Sequence, residues 1–319
     1  MHWFGETREN YCPMWFESMA RAFPERWRDL GVQGPGAALA KRVPTPDRVA
    51  VIISGGGSNG PFIPGFVGEG LADCAVVGPP YTAPSAYAIY EAGLKLGREK
   101  GALLLYNNFM GDYLNNDMAS ELLALEGVQT EQVLCRDDMG TAIGEPRENR
   151  GGRIGIAYVI RVAAEAAREG KSLQEVARLA RKADSRCSTL SLAVEPGSAF
   201  ISFGKGISGE PGFHSRENAT VTAAAEEMIS LLLEDVKPRA GEKVYMLVNR
   251  LRLTSYSDSF VMAGLMEKAL RSRCPVAQVR VGGYQQVTDT YGYTVTLLCA
   301  DDEIAPYLDA PVVGDGFLM

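Results

Sequence analysis

Three short glycine-rich segments carry the residue types that could bind a small molecule or transfer a proton. The first, residues 54–60, reads Ser-Gly-Gly-Gly-Ser-Asn-Gly and follows an apolar run, which predicts a buried strand entering a tight loop. Consecutive glycines allow backbone N–H groups to approach a ligand closely. Its spacing is neither that of a dinucleotide-binding motif nor that of a P-loop. We expect a ligand loop rather than a plain turn, and the candidate binding residues are Gly56, Gly57, Ser58, Asn59 and Gly60.

The second segment, residues 107–112, follows the apolar run 102–106 and ends in a carboxylate. Because ligands bind at the carboxyl ends of strands in open α/β sheets, this segment and the first are expected at one edge of a sheet. Asp112 could accept the proton of a substrate hydroxyl as a general base. It could equally cap a helix predicted over residues 113–125, because Asp is a favoured N-cap residue. The spacing alone does not choose between these roles.

The third segment, residues 204–212, contains four glycines and one proline. Ser208 is its only hydroxyl residue. Its composition is compatible with a binding loop and equally with a glycine-rich connection.

Composition and charge disfavour several other functions. The 319 residues include 32 basic and 39 acidic side chains, a net charge of −7, with no basic tract for nucleic acid or an anionic membrane. The two histidines and six scattered cysteines, with no Cys-x-x-Cys pair, make a zinc site and a disulfide framework poor candidates. No apolar run reaches the roughly 18 residues of a membrane span, and residues 1–21 lack a signal-peptide pattern. We therefore expect a cytoplasmic protein.

Alternating strand and helix patterns predict two α/β domains, residues 1–185 with a largely parallel sheet and residues 186–319 with a mixed sheet. Predicted strands of the first domain are 49–53, 74–77, 102–106 and 132–135, and its helices are 86–96, 113–125, 156–168 and one that begins at the capping box of Ser172 and Glu175. In the second, Pro196-Gly197 indicates a hairpin of strands 190–194 and 199–203, followed by helices 219–233 and 259–271 and strands 244–248, 276–281 and 293–298. Residues 1–45, with a short helix over 14–23 and a Gly/Pro-rich run, are interpreted as a packing or dimerisation arm.

Ordered motifs over residues 45–319 resemble the dihydroxyacetone-binding subunit of dihydroxyacetone kinases. Residues 55–61 and 65–70 resemble that family's GGGSGHEP motif and the glycine-punctuated segment after it. Residues 107–112 resemble its K-N-Y-T-G-D motif, and residues 206–212 resemble G-I-H-G-E-P-G. Further matches are residues 81–85, Asn115, Asp137-Asp138, 152–157 and 308–311.

The resemblance implies two α/β domains with the substrate between them, and a homodimer. In the family, a histidine of the second-domain loop bonds covalently to the ketone carbon as a hemiaminal. A second histidine, in the GGGSGHEP loop, and the aspartate of the G-D pair assist proton transfer, and a lysine opens K-N-Y-T-G-D. The resemblance implies no cofactor in this chain, because ATP and magnesium belong to a separate helical domain or partner subunit.

This chain departs from the family at the reactive positions. Ser208 stands at the position of the covalent histidine, Asn59 or Gly60 at that of the loop histidine, and Asn107 at that of the lysine, which lies near the substrate in the family. The resemblance therefore adds Asn107 and Ser208 to the candidate substrate-binding residues. Only Asp112 keeps the family's chemical type. An unactivated serine hydroxyl is not nucleophilic near neutral pH, so we expect a ligand bound noncovalently. His214 lies six residues beyond Ser208 and is expected to be an ordinary surface histidine.

Two functions follow from this pattern. The first is the substrate-binding subunit of a kinase-like phosphotransferase for a small ketose, polyol or sugar phosphate, with Asp112 as base and an ATP-binding partner subunit. The alternative is a non-catalytic paralogue that senses the ligand and regulates another protein. A sugar isomerisation with Asp112 as base is a weaker third option. The retained Asp112 and glycine segments favour the first, and the lost histidines favour the second.

Overall fold

The computed structural model describes residues 7–44, 47–57, 60, 62–97, 99–194, 197–207, 210–217, 219–286 and 290–312. Within these ranges the chain forms two six-stranded sheets and eight α-helices, which confirms the predicted α/β class. One compact unit comprises the described residues of 1–134, 159–181 and 309–318, and the other comprises those of 135–158 and 182–308. No helix among the described residues is long and apolar enough to cross a membrane.

The first sheet has a parallel centre and an antiparallel edge. Its strands are β1 (Trp27–Asp29), β2 (Ala37–Lys41), β3 (Ala50–Gly57), β4 (Cys74–Pro80), β5 (Ala102–Asn107) and β6 (Thr130–Cys135), in the spatial order β1-β2-β4-β3-β5-β6. β4 and β5 run parallel to β3, one on each side of it, whereas β1 and β2 are antiparallel additions beside β4. The near-continuous apolar runs of β3 and β5 are typical of parallel strands that are buried on both faces.

Five helices belong mainly to this first unit: α1 (Arg8–Ala22), α2 (Ala86–Leu96), α3 (Met110–Leu125), α4 (Ile156–Arg168) and α5 (Leu173–Ser185). The predicted bounds of α2 and α4 are confirmed, because both helices have clear apolar periodicity and sharp ends. The Ser172 hydroxyl accepts the Glu175 N–H at 3.3 Å, so the predicted cap of α5 is present.

The predicted packing or dimerisation arm, residues 1–45, packs within the first unit where the structure describes it, but the predicted helix bounds of 14–23 are wrong. Dimerisation through this segment stays a prediction. α1 begins at Arg8, six residues before the predicted helix, and the Thr7 hydroxyl caps it. The Gly/Pro-rich run contains β2, whose five residues are all buried in the sheet. The indole N–H of Trp27 donates to the Val67 carbonyl at 3.0 Å and fixes β1 beside the core. Short strands between glycines and prolines leave too little periodicity to be recognised in a sequence.

The second sheet is mixed, as predicted. Its strands are β7 (Cys187–Val194), β8 (Phe200–Phe203), β9 (His214–Glu217), β10 (Lys243–Arg250), β11 (Val276–Gly282) and β12 (Tyr291–Ala300), in the order β11-β10-β12-β7-β8-β9. β10 and β11 pair in parallel, and the other neighbours pair antiparallel, including the predicted β7–β8 hairpin. β9 was not predicted, because its four residues are all exposed and polar and show no apolar alternation.

The remaining helices are α6 (Val221–Val236), α7 (Tyr256–Arg271) and the short α8 (Ala305–Asp309). α6 and α7 bury Met228, Leu232 and Met266 in the core of the second unit, together with apolar side chains of β7, β10 and β12. This core makes the second sheet a rigid base for the loop that leaves β8 at Gly204.

Candidate functional site

The carboxyl ends of β3 and β5 bring several of the predicted site residues to one edge of the first sheet. The two strands are parallel neighbours, with Ser54 opposite Tyr106, so Gly56, Gly57 and Asn107 follow at the same edge. The glycine run itself differs from the prediction, because β3 continues to Gly57 instead of entering a loop at residue 54. Gly57 still pairs with β4, across an irregularity in the register. Of the other predicted residues, Ser58 and Asn59 lie outside the described residues, and Gly60 lies just beyond them in a turn.

Close packing explains part of the glycine run. A Cβ at Gly57 would lie 2.3 Å from Cys12 Sγ and 2.8 Å from the Gly78 carbonyl oxygen, so only glycine fits there. Burial raises the pKa of the Cys12 thiol to about 12, so Cys12 is a packing residue and is not reactive at neutral pH. Gly56, in contrast, is half-buried, although a Cβ there would lie 3.1 Å from the Thr82 backbone nitrogen.

The helix α1 covers this glycine run, a role that the sequence prediction missed. The Arg8 guanidinium donates to the Pro80 carbonyl at 2.9 Å and to the Thr82 hydroxyl at 2.6 Å, which fastens the start of α1 to the end of β4. One turn later Cys12 packs on Gly57, and the Trp15 ring lies 3.1 Å from where a Gly60 Cβ would be. The early aromatic residues were the sequence signal for a packing role of this segment, but its contact with the glycine run was not predicted.

Asp112 lies in the first turn of α3 and is not its N-cap. The helix begins at Met110 and its N-cap residue is Phe109, so the alternative role predicted for Asp112 is wrong. The Asp112 side chain is 7% exposed, and its Oδ1 has no hydrogen-bond partner among the described residues. Its backbone oxygen, by comparison, accepts the Asn116 side-chain N–H at 2.8 Å.

Burial controls the protonation of Asp112. Removal of the carboxyl group from water raises its pKa from 3.8 to about 7, because the charged form loses its hydration. The partial positive charge at the start of a helix favours the carboxylate, but it does not offset the burial here. Asp112 therefore exists in both protonation states near neutral pH, which suits a group that accepts and returns a proton.

Asn107 supplies a second unpartnered oxygen at this edge. It is the last residue of β5, is 6% exposed, and has an Oδ1 with no hydrogen-bond partner in the described part of the chain. A buried oxygen left unpaired costs about 1–3 kcal/mol, so a donor from solvent or from a ligand is expected at each of these atoms. A ligand that presents several hydroxyl groups has the matching chemistry.

In the second unit, a buried arginine anchors the loop that carries the Ser208 position. Arg153 Nε donates to Asp138 Oδ2 at 2.8 Å, and its Nη2 donates to the Lys205 carbonyl at 2.6 Å. The Ser191 hydroxyl donates to the same carbonyl at 2.6 Å. Ser208 itself lies outside the described residues, so its predicted contact with a ligand stays a prediction. The matched Asp-Asp and Gly-Arg motifs were the sequence signal for this anchor, although its role was not predicted.

His214, the one histidine that the described residues include, belongs to the second unit. His214 is exposed on β9, with Nε2 2.9 Å from Glu227 Oε1. Its ring stacks on Phe203 with 5.6 Å between the ring centres. His214 is therefore engaged in a surface contact with Glu227 and a ring contact with Phe203.

The chain matches a known protein family and resembles several characterised proteins. A family model described as the Dak1 domain matches residues 29–314. The dihydroxyacetone-binding subunit DhaK of the PTS-dependent dihydroxyacetone kinase 2 of Listeria innocua is 32% identical over 300 residues, which cover 90% of this chain and 90% of the relative. The D-erythrulose kinase of Mycolicibacterium smegmatis is 32% identical over 292 residues, which cover 87% of this chain and 50% of that kinase. A solved structure described as "Regulation of the dha operon of Lactococcus lactis" shares the fold, with a TM-score of 0.90 at 24% identity over 99% of this chain and 98% of the other.

The raised pKa of Asp112 predicts how stability depends on pH. Between about pH 4 and pH 7 the unfolded chain releases this proton while the folded chain keeps it, so stability falls as the pH rises through that window. Asp112→Asn removes the ionisation and should increase the free energy of unfolding by about 2–4 kcal/mol at pH 8, with little difference at pH 4. Urea unfolding at both pH values measures this. Asp117→Asn, the same change on a half-buried side chain of α3 that accepts from Gln132, is the control. Equal stability of Asp112→Asn and wild type at pH 8 would contradict the prediction.

Proposed function

Because the chain belongs to the Dak1 domain family, we propose that it is the substrate-binding subunit of a phosphotransferase that acts on a small ketose or polyol. The observation that carries the proposal is the buried Asp112 carboxyl group, whose Oδ1 has no hydrogen-bond partner among the described residues and whose pKa is raised to about 7. The second buried acceptor, Asn107 Oδ1, belongs to the same strand edge. The names of the relatives, a dihydroxyacetone-binding subunit and a D-erythrulose kinase, support a three- or four-carbon hydroxyketone as the substrate.

The proposed chemistry uses Asp112 as a general base. A substrate hydroxyl donates its hydrogen bond to Asp112 Oδ1, the buried atom that lacks a donor. When that hydroxyl oxygen attacks the phosphoryl group, its O–H bond breaks and the proton passes to Asp112, while a new P–O bond forms and the donor's P–O bond breaks. A base with a pKa near the working pH is effective in such a transfer. The phosphoryl donor comes from a partner, either an ATP- and magnesium-binding subunit or a phosphocarrier-dependent equivalent.

We further propose that the substrate is held without a covalent bond. Ser208 occupies the position of the hemiaminal histidine, and a serine hydroxyl needs an adjacent base to become a nucleophile. The position of the loop histidine is Asn59 or Gly60, which supplies no imidazole. Hydrogen bonds alone discriminate less sharply between ketones and polyols than a bond to a carbonyl carbon does, so both classes are substrates in this proposal.

A second candidate function is a ligand sensor without catalysis. The replaced histidine positions favour it, because a subunit that has lost covalent substrate capture can still bind a polyol. In that case the chain, as a proposed homodimer, would regulate a kinase or a transcription factor. Binding of a small ketose or polyol without turnover would support this function over the phosphotransferase.

The phosphotransferase proposal predicts that Asp112→Asn separates binding from turnover. Calorimetric titration with dihydroxyacetone, D-erythrulose and glycerol measures binding, and release of the phosphorylated product in the presence of the ATP-binding partner subunit and magnesium measures turnover. We expect Asp112→Asn to reduce turnover by roughly 10²–10⁴-fold, since it removes the base, while the dissociation constant changes by only a few-fold. Asp117→Asn should leave both within about twofold of wild type, since general-base catalysis does not use it.

Three results would count against the phosphotransferase. Unchanged turnover in Asp112→Asn would remove Asp112 from the reaction. Equal loss of turnover in Asp117→Asn would show a general disturbance of α3. Saturable binding by wild type with no turnover from any phosphoryl donor would favour the sensor.

The noncovalent mode predicts that the ketone carbon of bound dihydroxyacetone stays trigonal. Dihydroxyacetone labelled with ¹³C at the carbonyl carbon distinguishes the two modes, because a hemiaminal or hemiketal carbon resonates far from a ketone carbon. We expect a bound ketone signal for wild type and for Ser208→Ala. A tetrahedral carbon signal that disappears in Ser208→Ala would contradict noncovalent binding.

A further inference from the structure

A cavity of about 560 Å³ lies at the opposite edge of the first sheet from Gly57 and Asn107. Its wall includes Arg48 and Ala50, where β3 begins, and Asp73, which directly precedes β4. Since β3 rises about 3.3 Å per residue, Ala50 in the cavity wall and Gly57 are roughly 23 Å apart along this strand. The cavity is therefore separate from the site that contains Asp112.

Basic side chains dominate the wall of this cavity. They outnumber the acidic ones by five to three, which leaves an excess of two positive charges. The basic residues are Arg28, Lys41, Arg48, Lys95 and Lys100.

Part of the wall is a buried ion cluster of Lys41, Arg48 and Asp73. Lys41 Nζ lies 2.5 Å from Asp73 Oδ1, and Arg48 Nη2 lies 2.9 Å from the same oxygen. The Lys41 and Asp73 side chains are each 8% exposed, and that of Arg48 is 10% exposed. Asp73 Oδ2 also accepts the Val51 N–H at 2.9 Å. The Asp73 carboxylate thus contacts two buried cationic side chains, and buried cations are unfavourable unless anions balance them.

Two arginine N–H groups in this wall lack an acceptor. Arg48 Nε and Arg28 Nε are both buried and have no hydrogen-bond partner among the described residues. The Arg48 side chain is nine-tenths buried, so little solvent is available to replace the missing acceptor. Guanidinium donors match the oxygen atoms of phosphate and carboxylate groups, with hydrogen bonds stronger than those between neutral groups.

We propose that this cavity binds the phosphate group of a small phosphorylated compound. A phosphate monoester carries close to two negative charges at neutral pH and three acceptor oxygens, which match the excess of two positive charges and the two unpaired donors. The volume of the cavity falls within the range of small-molecule sites and exceeds what a free phosphate ion needs, so the compound carries an organic group as well. No residue of this wall belongs to the proposed ketose site, so the inference does not depend on the proposed function.

Calorimetric titration in a low-salt buffer without phosphate tests the proposal, with glycerol 3-phosphate, inorganic phosphate and uncharged glycerol as probes. Arg28→Gln removes one unpaired donor and leaves the Lys41–Asp73–Arg48 cluster in place. Arg271→Gln, which removes an exposed arginine paired with Glu267 in the other unit, is the matched control. Thermal unfolding confirms that both variants fold.

We expect glycerol 3-phosphate to bind wild type saturably and Arg28→Gln roughly tenfold or more weakly, because a charge-assisted hydrogen bond is lost. Arg271→Gln should bind within about twofold of wild type, and Asp112→Asn should bind normally, because the two sites are separate. Tighter binding of glycerol 3-phosphate than of inorganic phosphate supports an organic phosphate as the occupant. Equal binding of glycerol 3-phosphate and inorganic phosphate would overturn the proposal of an organic phosphate and leave free phosphate as the occupant. Absence of saturable binding by either charged probe, or the same loss in Arg28→Gln and Arg271→Gln, would overturn the whole proposal.

Discussion

Taking a carboxylate out of water without giving it a hydrogen-bond donor destabilises a folded protein, and this chain does so at Asp112. The side chain lies in the first turn of α3, is almost fully buried, and has an Oδ1 without a partner in the described part of the chain. The free energy that this arrangement costs appears as the raised pKa of the group. In the proposed function a ligand hydroxyl supplies the missing donor. The buried carboxyl group, which destabilises the free protein, would then stabilise the complex with the ligand. The proposed chemistry depends on this hydrogen bond between the ligand hydroxyl and Asp112.

The rest of the first unit positions the edge of its sheet at which β3 and β5 end and α3 begins. Parallel pairing of β3 with β4 and β5 aligns the carboxyl ends of three strands, and β5 then leads within three residues into α3. α1 closes over Gly57 through Cys12, and Arg8 holds the helix against the end of β4. Gly57 is glycine for a packing reason, and Gly56 is half-buried beside it. Part of the glycine-rich motif therefore has a structural role, which its sequence alone does not show.

Strong periodicity and ordered motifs were sufficient to predict the α/β class, the bounds of α2 and α4, and the resemblance to dihydroxyacetone kinase subunits, which the family match confirms. They were not sufficient for β1, β2 and β9, which are short and become strands only through pairing with neighbours. The role of Asp112 was open for a different reason. Its position before an apolar helix pattern is typical of a cap, and only the position of Phe109 at the start of α3 excludes that role. The basic cavity was also missed, because its arginines and lysines are scattered between residues 28 and 100.

If a substrate hydroxyl donates a hydrogen bond to the buried Asp112 carboxyl group, binding of the substrate changes the pKa of that group. A ¹³C NMR titration of protein labelled at the aspartate carboxyl carbons, with Asp112→Asn to assign the signal, gives the value with and without saturating dihydroxyacetone or glycerol. We predict a pKa near 7 in the free protein that falls by at least about one unit with ligand, because a donated hydrogen bond stabilises the carboxylate. A pKa near 4 in the free protein, or a pKa that stays the same when the ligand is bound, would contradict a hydrogen bond from the substrate hydroxyl to a buried Asp112.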